Sequence, residues 1–249
     1  MNEFEKLNLN FVLDCSGSLD VASFLSDLGV KTYITNSPTS ELIDDFIIAN
    51  VSGSSIGRVV STSICDTTAI APVVKFINDN FGFSNAHLVT LHPWLGYQNL
   101  TDNSVISVDT PQSYHKDFAL GRKSSEAMIP KSTSAISALG KVFPDIAAKF
   151  SSFSYRVPTP VVSSALLNFR VHSLDFTLPD FINHLGDTNG VKIARPHMIS
   201  SDFIGMAASC AVDQNSIKLN GDILSLALWY DNELGYTSNI VNYIFGDKR

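Results

Sequence analysis

The sequence predicts an α/β fold that opens with a doubly wound parallel sheet and continues into an α+β region built on an antiparallel sheet. Three observations carry this reading: a strand, helix, strand pattern over residues 10–35, an amphipathic helical stretch directly after the strand-like run at Arg58–Ile64, and alternating, β-branched runs in the second half.

The elements follow in order. NFVLDCSG (Asn10–Gly17) is a short apolar strand ending in small residues, and Val21, Phe24, Leu25 and Leu28 then repeat at helical spacing up to Gly29. Val30–Thr35 is a second strand and RVVSTSI (Arg58–Ile64) a further one, running straight into Cys65. A helix is expected from Thr67 to Asn80, then a strand at His87–His92, then a long polar stretch from Pro93 to Gly121 of the kind that serves a site or an interface. Ile136, Leu139, Val142 and Ile146 mark a helix within Thr133–Phe150. YRVPTPVVSSALLNFRVHS and DILSLALWYD carry strand alternation, and a last helix starts near Leu234. No internal repeat or low-complexity segment interrupts this order.

With 249 residues and 45% hydrophobic content the chain is ample for a proper core. No apolar run approaches the roughly 20 residues that cross a bilayer, and the start MNEFEKLNLN lacks the basic and apolar parts of a signal peptide, so a cytoplasmic location is expected. A net charge of −7 with no Lys/Arg cluster argues against nucleic-acid binding. Cys15, Cys65 and Cys210 contain no CxxC pair, which suggests neither a disulfide framework nor a thiolate metal site.

Cys65 is the residue with chemical potential. At a helix N-terminus the unpaired N–H groups and the helix dipole favour a thiolate, whereas Asp66 beside it opposes one unless its carboxylate points away or caps the helix. On local features alone a small buried core thiol is the favoured reading of Cys65, and a nucleophile needs a base to be found for it.

Longer stretches resemble a known family. CDTTAIAP followed by INDNFG is similar to the active-site segment of glyceraldehyde-3-phosphate dehydrogenases, C-T-T-N-C-L-A-P with I-N-D-N-F-G after it. MIPKSTSA (Met128–Ala135), YRVPTPVVS (Tyr155–Ser163) and WYDNELGY (Trp229–Tyr236) resemble further family motifs in the family's order, and LDCSG resembles the E-C-T-G turn beside the nicotinamide. The resemblance runs from about residue 5 to the C-terminus.

It implies a truncated Rossmann-like half-domain over 1–64, a catalytic domain over 65–228 and a C-terminal helix over 229–249 packing back on the first part. It implies Cys65 as nucleophile and His92 as its activating base, in an NAD-dependent oxidation of a phosphorylated aldehyde through a thioester. Thr133, Ser134, Arg156 and Arg122 fall at or near its anion-binding positions, and Ser16, Gly17, Asn232 and Tyr236 at its cofactor positions. It implies a homo-oligomer, or a complex with a chain supplying the N-terminal nucleotide-binding half, because these residues include no GxGxxG turn.

The sequence departs from the family pattern around the nucleophile. Ile64 replaces a serine, Asp66 a threonine, Ser134 a glycine and Leu120 an arginine; MAASC (Met206–Cys210) replaces D-P-H-S-S, and the loop to Lys123 is longer. These changes weaken the expectation of attack by inorganic phosphate. Two other readings stay open: a redox-silent Cys/His acyl transferase or thioesterase, and a non-catalytic assembly partner.

Overall fold

A computed structural model describes residues 7, 9–16, 24, 29–36, 41–96, 98–102, 118–173, 175 and 177–246. A small sheet and a large one are joined by a helix whose first turn lies between them. In the small sheet β1 (Phe11–Asp14), β2 (Lys31–Ile34), β3 (Asp45–Phe46) and β4 (Val59–Ser61) lie in the order β1-β2-β4-β3, every neighbouring pair parallel. Ile34, Val59 and Val60 are buried, as befits strands covered on both faces. The helix expected over Val21–Leu28 falls, apart from Phe24, outside the described residues.

Helix α1 (Cys65–Phe81) starts two residues earlier than the apolar period indicates, so Cys65 is its first helical residue. It stops at Gly82, whose N–H turns back to the carbonyls of Asn78 and Ile77 at φ +59, a conformation that favours glycine. Ile70, Val73, Val74 and Ile77 bury one face of α1 in a core that includes Leu88, Leu167, Phe169 and Leu226 of the large sheet. Fully burying such side chains contributes about 1.5–3 kcal/mol each.

The large sheet contains β5 (Phe83–His92), β6 (Ile129–Lys131), β7 (Phe150–Arg156), β8 (Ser163–Val171), β9 (Val191–Ala194), β10 (Cys210–Asp213), β11 (Lys218–Asn220) and β12 (Ile223–Tyr230). Their order is β6-β7-β5-β8-β12-β10-β9, with β11 against β12. The expected antiparallel arrangement holds for most pairs, but β5 with β7 and β9 with β10 are parallel, so the sheet is mixed. The helix expected within Thr133–Phe150 is divided: α2 (Ala135–Val142) and α3 (Pro144–Ala147) are separated at Phe143, which leaves the helical region (φ −131, ψ 72) before Pro144, and Phe150 already belongs to β7. Helix α4 (Leu178–Gly186) was not anticipated. Thr177 caps it by accepting from the Asp180 N–H at 3.3 Å.

The last helix, α5 (Leu234–Phe245), packs back on the small sheet. Tyr243 and Ile244 pack against Tyr33, Ile47 and Val60, while the Tyr243 hydroxyl donates to the Gly53 carbonyl and accepts from the Ser55 N–H. Beside α5, Asn50 at φ +70 donates to Ser209 Oγ (2.8 Å) and to Asn239 Oδ1. Gly190 lies over this amide cluster at φ +79; a Cβ there would collide with Asn50 Nδ2 and lie 2.7 Å from Ser209 Oγ. Gly190→Ala is therefore expected to lower stability by about 2 kcal/mol or more, measured as a reduced urea midpoint with an unchanged slope.

Candidate active site

The chain leaves β4 through Thr62 and Ser63, the latter in the left-handed region at φ +63, and enters α1 at Cys65. Tyr236 on α5 fixes this turn: its buried hydroxyl donates to the Ser63 carbonyl (2.9 Å), shares a hydrogen bond with Thr62 Oγ1 (2.9 Å) and accepts from the Asn36 N–H (3.0 Å). Burial, the largest cause, pushes the Tyr236 phenol up to about 12. Its oxygen is thus committed to protein groups, the structural role a tyrosine on the final helix can also have.

Asp66 is the centre of the site. No side-chain bond caps the start of α1; the Asp66 carboxylate instead points inward and is buried. Oδ2 meets His92 Nε2 at 2.9 Å and accepts from Thr133 Oγ1 at 3.2 Å. Oδ1 accepts from the Tyr230 hydroxyl at 2.9 Å and from Cys65 Sγ at 3.4 Å. Burial alone would raise this carboxyl, but His92, through its charge and hydrogen bond, together with Tyr230 and Cys65, holds it below the ordinary carboxylate value.

The direct Cys65–His92 pair expected from the sequence is replaced by a chain through Asp66. Both ring nitrogens of His92 are engaged elsewhere, Nε2 by Asp66 and Nδ1 by Ser163 Oγ at 3.3 Å. Cys65 is half-buried, and burial followed by the Asp66 charge pushes its thiol well above the ordinary value, while the Arg156 guanidinium acts in the opposite direction. The helix N-terminus therefore does not by itself produce a thiolate. Tyr230 is likewise pushed up, by burial and then by Asp66, and stays a phenol donor.

Strand register assembles this group. His92 and Arg156 are partners at the ends of β5 and β7, and Ser163 pairs with Tyr230 at the ends of β8 and β12. Tyr230 and Ser163 lie inside the motifs quoted above without an assigned role, and Asp66 enters there as a residue that opposes a thiolate unless it points away or caps the helix. Their approach to His92 depends on pairing between distant strands, which no local pattern encodes.

The remaining candidates separate. Arg156 donates to the Pro93 carbonyl at 3.2 Å, and its buried Nε has no partner among the described residues. Asn232 Oδ1 is similarly buried without a donor. Ser134 is the exposed N-cap residue of α2. Arg122 is exposed and pairs with Asp102 at 3.1 Å, away from the Cys65 group's bonds. The Ser16 N–H donates to Asp14 Oδ1 at 2.8 Å, and Gly17 lies outside the described residues. Among the described residues no three His, Cys, Asp or Glu side chains form a metal-holding group, and no helix is long and apolar enough to cross a membrane.

Because its thiol is raised, Cys65 should react with iodoacetamide at pH 7 more slowly than a free thiol, the rate climbing above the ordinary thiol range. Replacing the carboxylate by threonine, Asp66→Thr, removes one cause of the shift and should accelerate alkylation at pH 7 by about tenfold or more, since each unit of pKa changes the thiolate fraction about tenfold. Intact-mass kinetics read both rates; equal rates in the two proteins would contradict the role given to Asp66.

Residues 64–232 match the family model described as "Glyceraldehyde 3-phosphate dehydrogenase, C-terminal domain". Glyceraldehyde-3-phosphate dehydrogenase 1 of Kluyveromyces lactis is 30% identical over 249 residues, covering 96% of this chain and 73% of the relative. Glyceraldehyde-3-phosphate dehydrogenase 2 of Saccharomyces cerevisiae is 32% identical over 250 residues, covering 96% and 72%. A glyceraldehyde-3-phosphate dehydrogenase-like protein of Pseudomonas aeruginosa is 28% identical over 223 residues, covering 86% of this chain and 46% of its own length. Motif order, the mixed sheet with its helix-borne cysteine, and these matches together make the chain a member of the glyceraldehyde-3-phosphate dehydrogenase family.

Proposed function

We propose that this chain is the catalytic unit of a cysteine-dependent oxidoreductase acting on a small phosphorylated aldehyde. The observation that carries the reading is the buried Nε of Arg156, which has no partner among the described residues and belongs to a guanidinium whose charge acts on Cys65. A buried charged donor left unsatisfied is unfavourable, and a substrate phosphate supplies the missing acceptor in the planar geometry a guanidinium suits. Residues 1–64 and 229–249 then form the nucleotide side of the site, and 65–228 the catalytic side.

In this reading Cys65 Sγ bonds to the aldehyde carbon while its proton passes to Asp66 Oδ1, and oxidation leaves a thioester on Cys65. His92 stabilises the Asp66 carboxylate rather than taking the proton itself. When bound, NAD supplies the hydride acceptor for aldehyde oxidation. Asn232 Oδ1, a buried acceptor with no donor among the described residues, fits the amide of its nicotinamide half. The sequence has no glycine-rich turn for the pyrophosphate, so the adenosine half is held by residues outside these 249, in this or another chain. A cytoplasmic location accords with this chemistry.

A homo-oligomer is part of the proposal. On the outer face of the large sheet Phe153, Val89, Leu166 and Ala227 line up across β7, β5, β8 and β12, with Phe153 40% and Leu166 41% exposed. An apolar row of this kind on a β-sheet face suits a self-complementary contact. Leu166→Glu should shift the protein to monomers in light scattering coupled to size exclusion, and an unchanged mass would place the contact elsewhere.

A second reading, an assembly partner that has lost catalysis, is favoured by the engagement of both His92 ring nitrogens, Nε2 by Asp66 and Nδ1 by Ser163. One experiment separates the two. Glyceraldehyde 3-phosphate should protect Cys65 from iodoacetamide by adding reversibly to the thiol, and Arg156→Leu should raise the half-protecting concentration roughly ten- to a hundredfold, the worth of a charge-assisted bond. Protection absent in the wild type, or identical in Arg156→Leu, removes the substrate assignment and leaves the assembly reading.

A further inference from the structure

We propose that the acyl group carried by Cys65 is released to water rather than to inorganic phosphate, with Asp66 as the proton acceptor for that water. The inference rests on the preceding reading that Cys65 forms a thioester, and it names the second substrate of the same site.

Three features of the Asp66 group lead to it. First, a carboxylate lies in hydrogen-bond contact with the sulfur that would carry the acyl group, 3.4 Å from Oδ1 to Sγ. It is buried and bonded by His92, Thr133 and Tyr230, so it has no easy way to swing aside for an incoming anion. A second phosphate approaching the thioester would meet this negative charge in a site of low dielectric.

Second, the Thr133 hydroxyl is turned away from service to an anion. Its hydrogen goes to Asp66 Oδ2 at 3.2 Å, and its oxygen accepts the Ala135 N–H at 3.1 Å. A hydroxyl has one hydrogen to donate, so Thr133 offers a phosphate oxygen nothing. Ser134, the neighbouring polar residue, is exposed at the N-cap of α2.

Third, acylation itself opens a place for water. Conversion of the thiol to a thioester removes the sulfur-bound hydrogen, leaving Oδ1 with the Tyr230 hydroxyl as donor. Oδ1 then has a free lone pair 3.4 Å from the sulfur, so a water donating into it would sit beside the carbon bonded to that sulfur. Water is small, neutral and a donor, the properties the group selects.

The step balances without any redox partner. The water oxygen bonds to the thioester carbon as one of its hydrogens passes to Asp66 Oδ1. The carbon–sulfur bond then breaks with its electron pair on Sγ, and the proton on Asp66 returns to that sulfur. The sum is acyl–S–Cys65 plus water giving a carboxylic acid and the free thiol. His92 and Tyr230 are positioning residues here, each holding one carboxylate oxygen through the proton's return.

The test uses p-nitrophenyl acetate, which acylates a reactive cysteine without cofactor. The purified protein is followed by stopped-flow for nitrophenol release and by phosphorus and proton NMR for products, with inorganic phosphate varied over the millimolar range at constant ionic strength. The expected result is a burst that Cys65→Ser abolishes, a steady rate independent of phosphate, and acetate as the product. The isosteric variant Asp66→Asn, checked for a native near-ultraviolet spectrum, should keep the burst but slow deacylation roughly a hundredfold, the usual worth of a general base. Acetyl phosphate as the main wild-type product, or a steady rate rising in proportion to phosphate, overturns the choice of water while the thioester reading stands. Unchanged deacylation in a folded Asp66→Asn overturns the role of Asp66. A burst that is absent, or that survives in Cys65→Ser, overturns the thioester reading and this inference together. Should Asp66→Asn fail to fold, the wild-type product and its phosphate dependence still decide between water and phosphate.

Discussion

The carboxylate of Asp66 organises everything around it. It is buried, it joins α1 to β5, β12 and the turn before α2, and it meets the thiol of Cys65. A lone buried carboxylate would be costly, and it is tolerable here because each oxygen has more than one partner. The same satisfaction fixes the state of its neighbours: Cys65 is kept a thiol, Tyr230 a phenol, and Thr133 is oriented as a donor toward the protein interior. Cys65 is therefore a neutral sulfur in contact with a carboxylate rather than a standing thiolate.

Beyond this group the fold serves mainly to bring strand ends together. β5, β7, β8 and β12 run side by side, and their register places His92 beside Arg156 and Ser163 beside Tyr230 at one edge of the sheet. The helix carrying Cys65 rests on the inner face through Ile70, Val74 and Ile77, so packing of the core and placement of Cys65 are one event. A core substitution in α1 displaces Cys65 as well as lowering stability.

Much of this was legible in the sequence where the signal is local. The apolar period of α1, the alternation in β8 and β12 and the last helix all follow from side-chain spacing, and the motif around Cys65 named the family. Other parts were not. The capping signature FTLPD before α4 was present, since Thr177 and Asp180 carry it, but the short helix behind it lacked a long apolar period. Pro144 ended a helix that its apolar spacing would have continued. In the site, Cys65 and His92 could be chosen by motif, whereas the interposition of Asp66 could not: a side chain one residue from the thiol can turn outward, cap or point inward, and only the donors arriving from β5, β12 and residue 133 decide.

The bonds of Tyr236 have a consequence in time. The turn that aims Cys65 is held from α5, with Tyr236 173 residues further along the chain than Ser63, through the Tyr236 hydroxyl on Ser63 and Thr62. A nascent chain that has already emerged through β8 carries the thiol, the carboxylate and the imidazole, yet it lacks both Tyr230 and the clamp on that turn. The turn that aims Cys65 is thus set only after α5 has been made, and until then the burial and the Asp66 contact that raise its thiol are incomplete, so an electrophile meets a cysteine closer to an ordinary one.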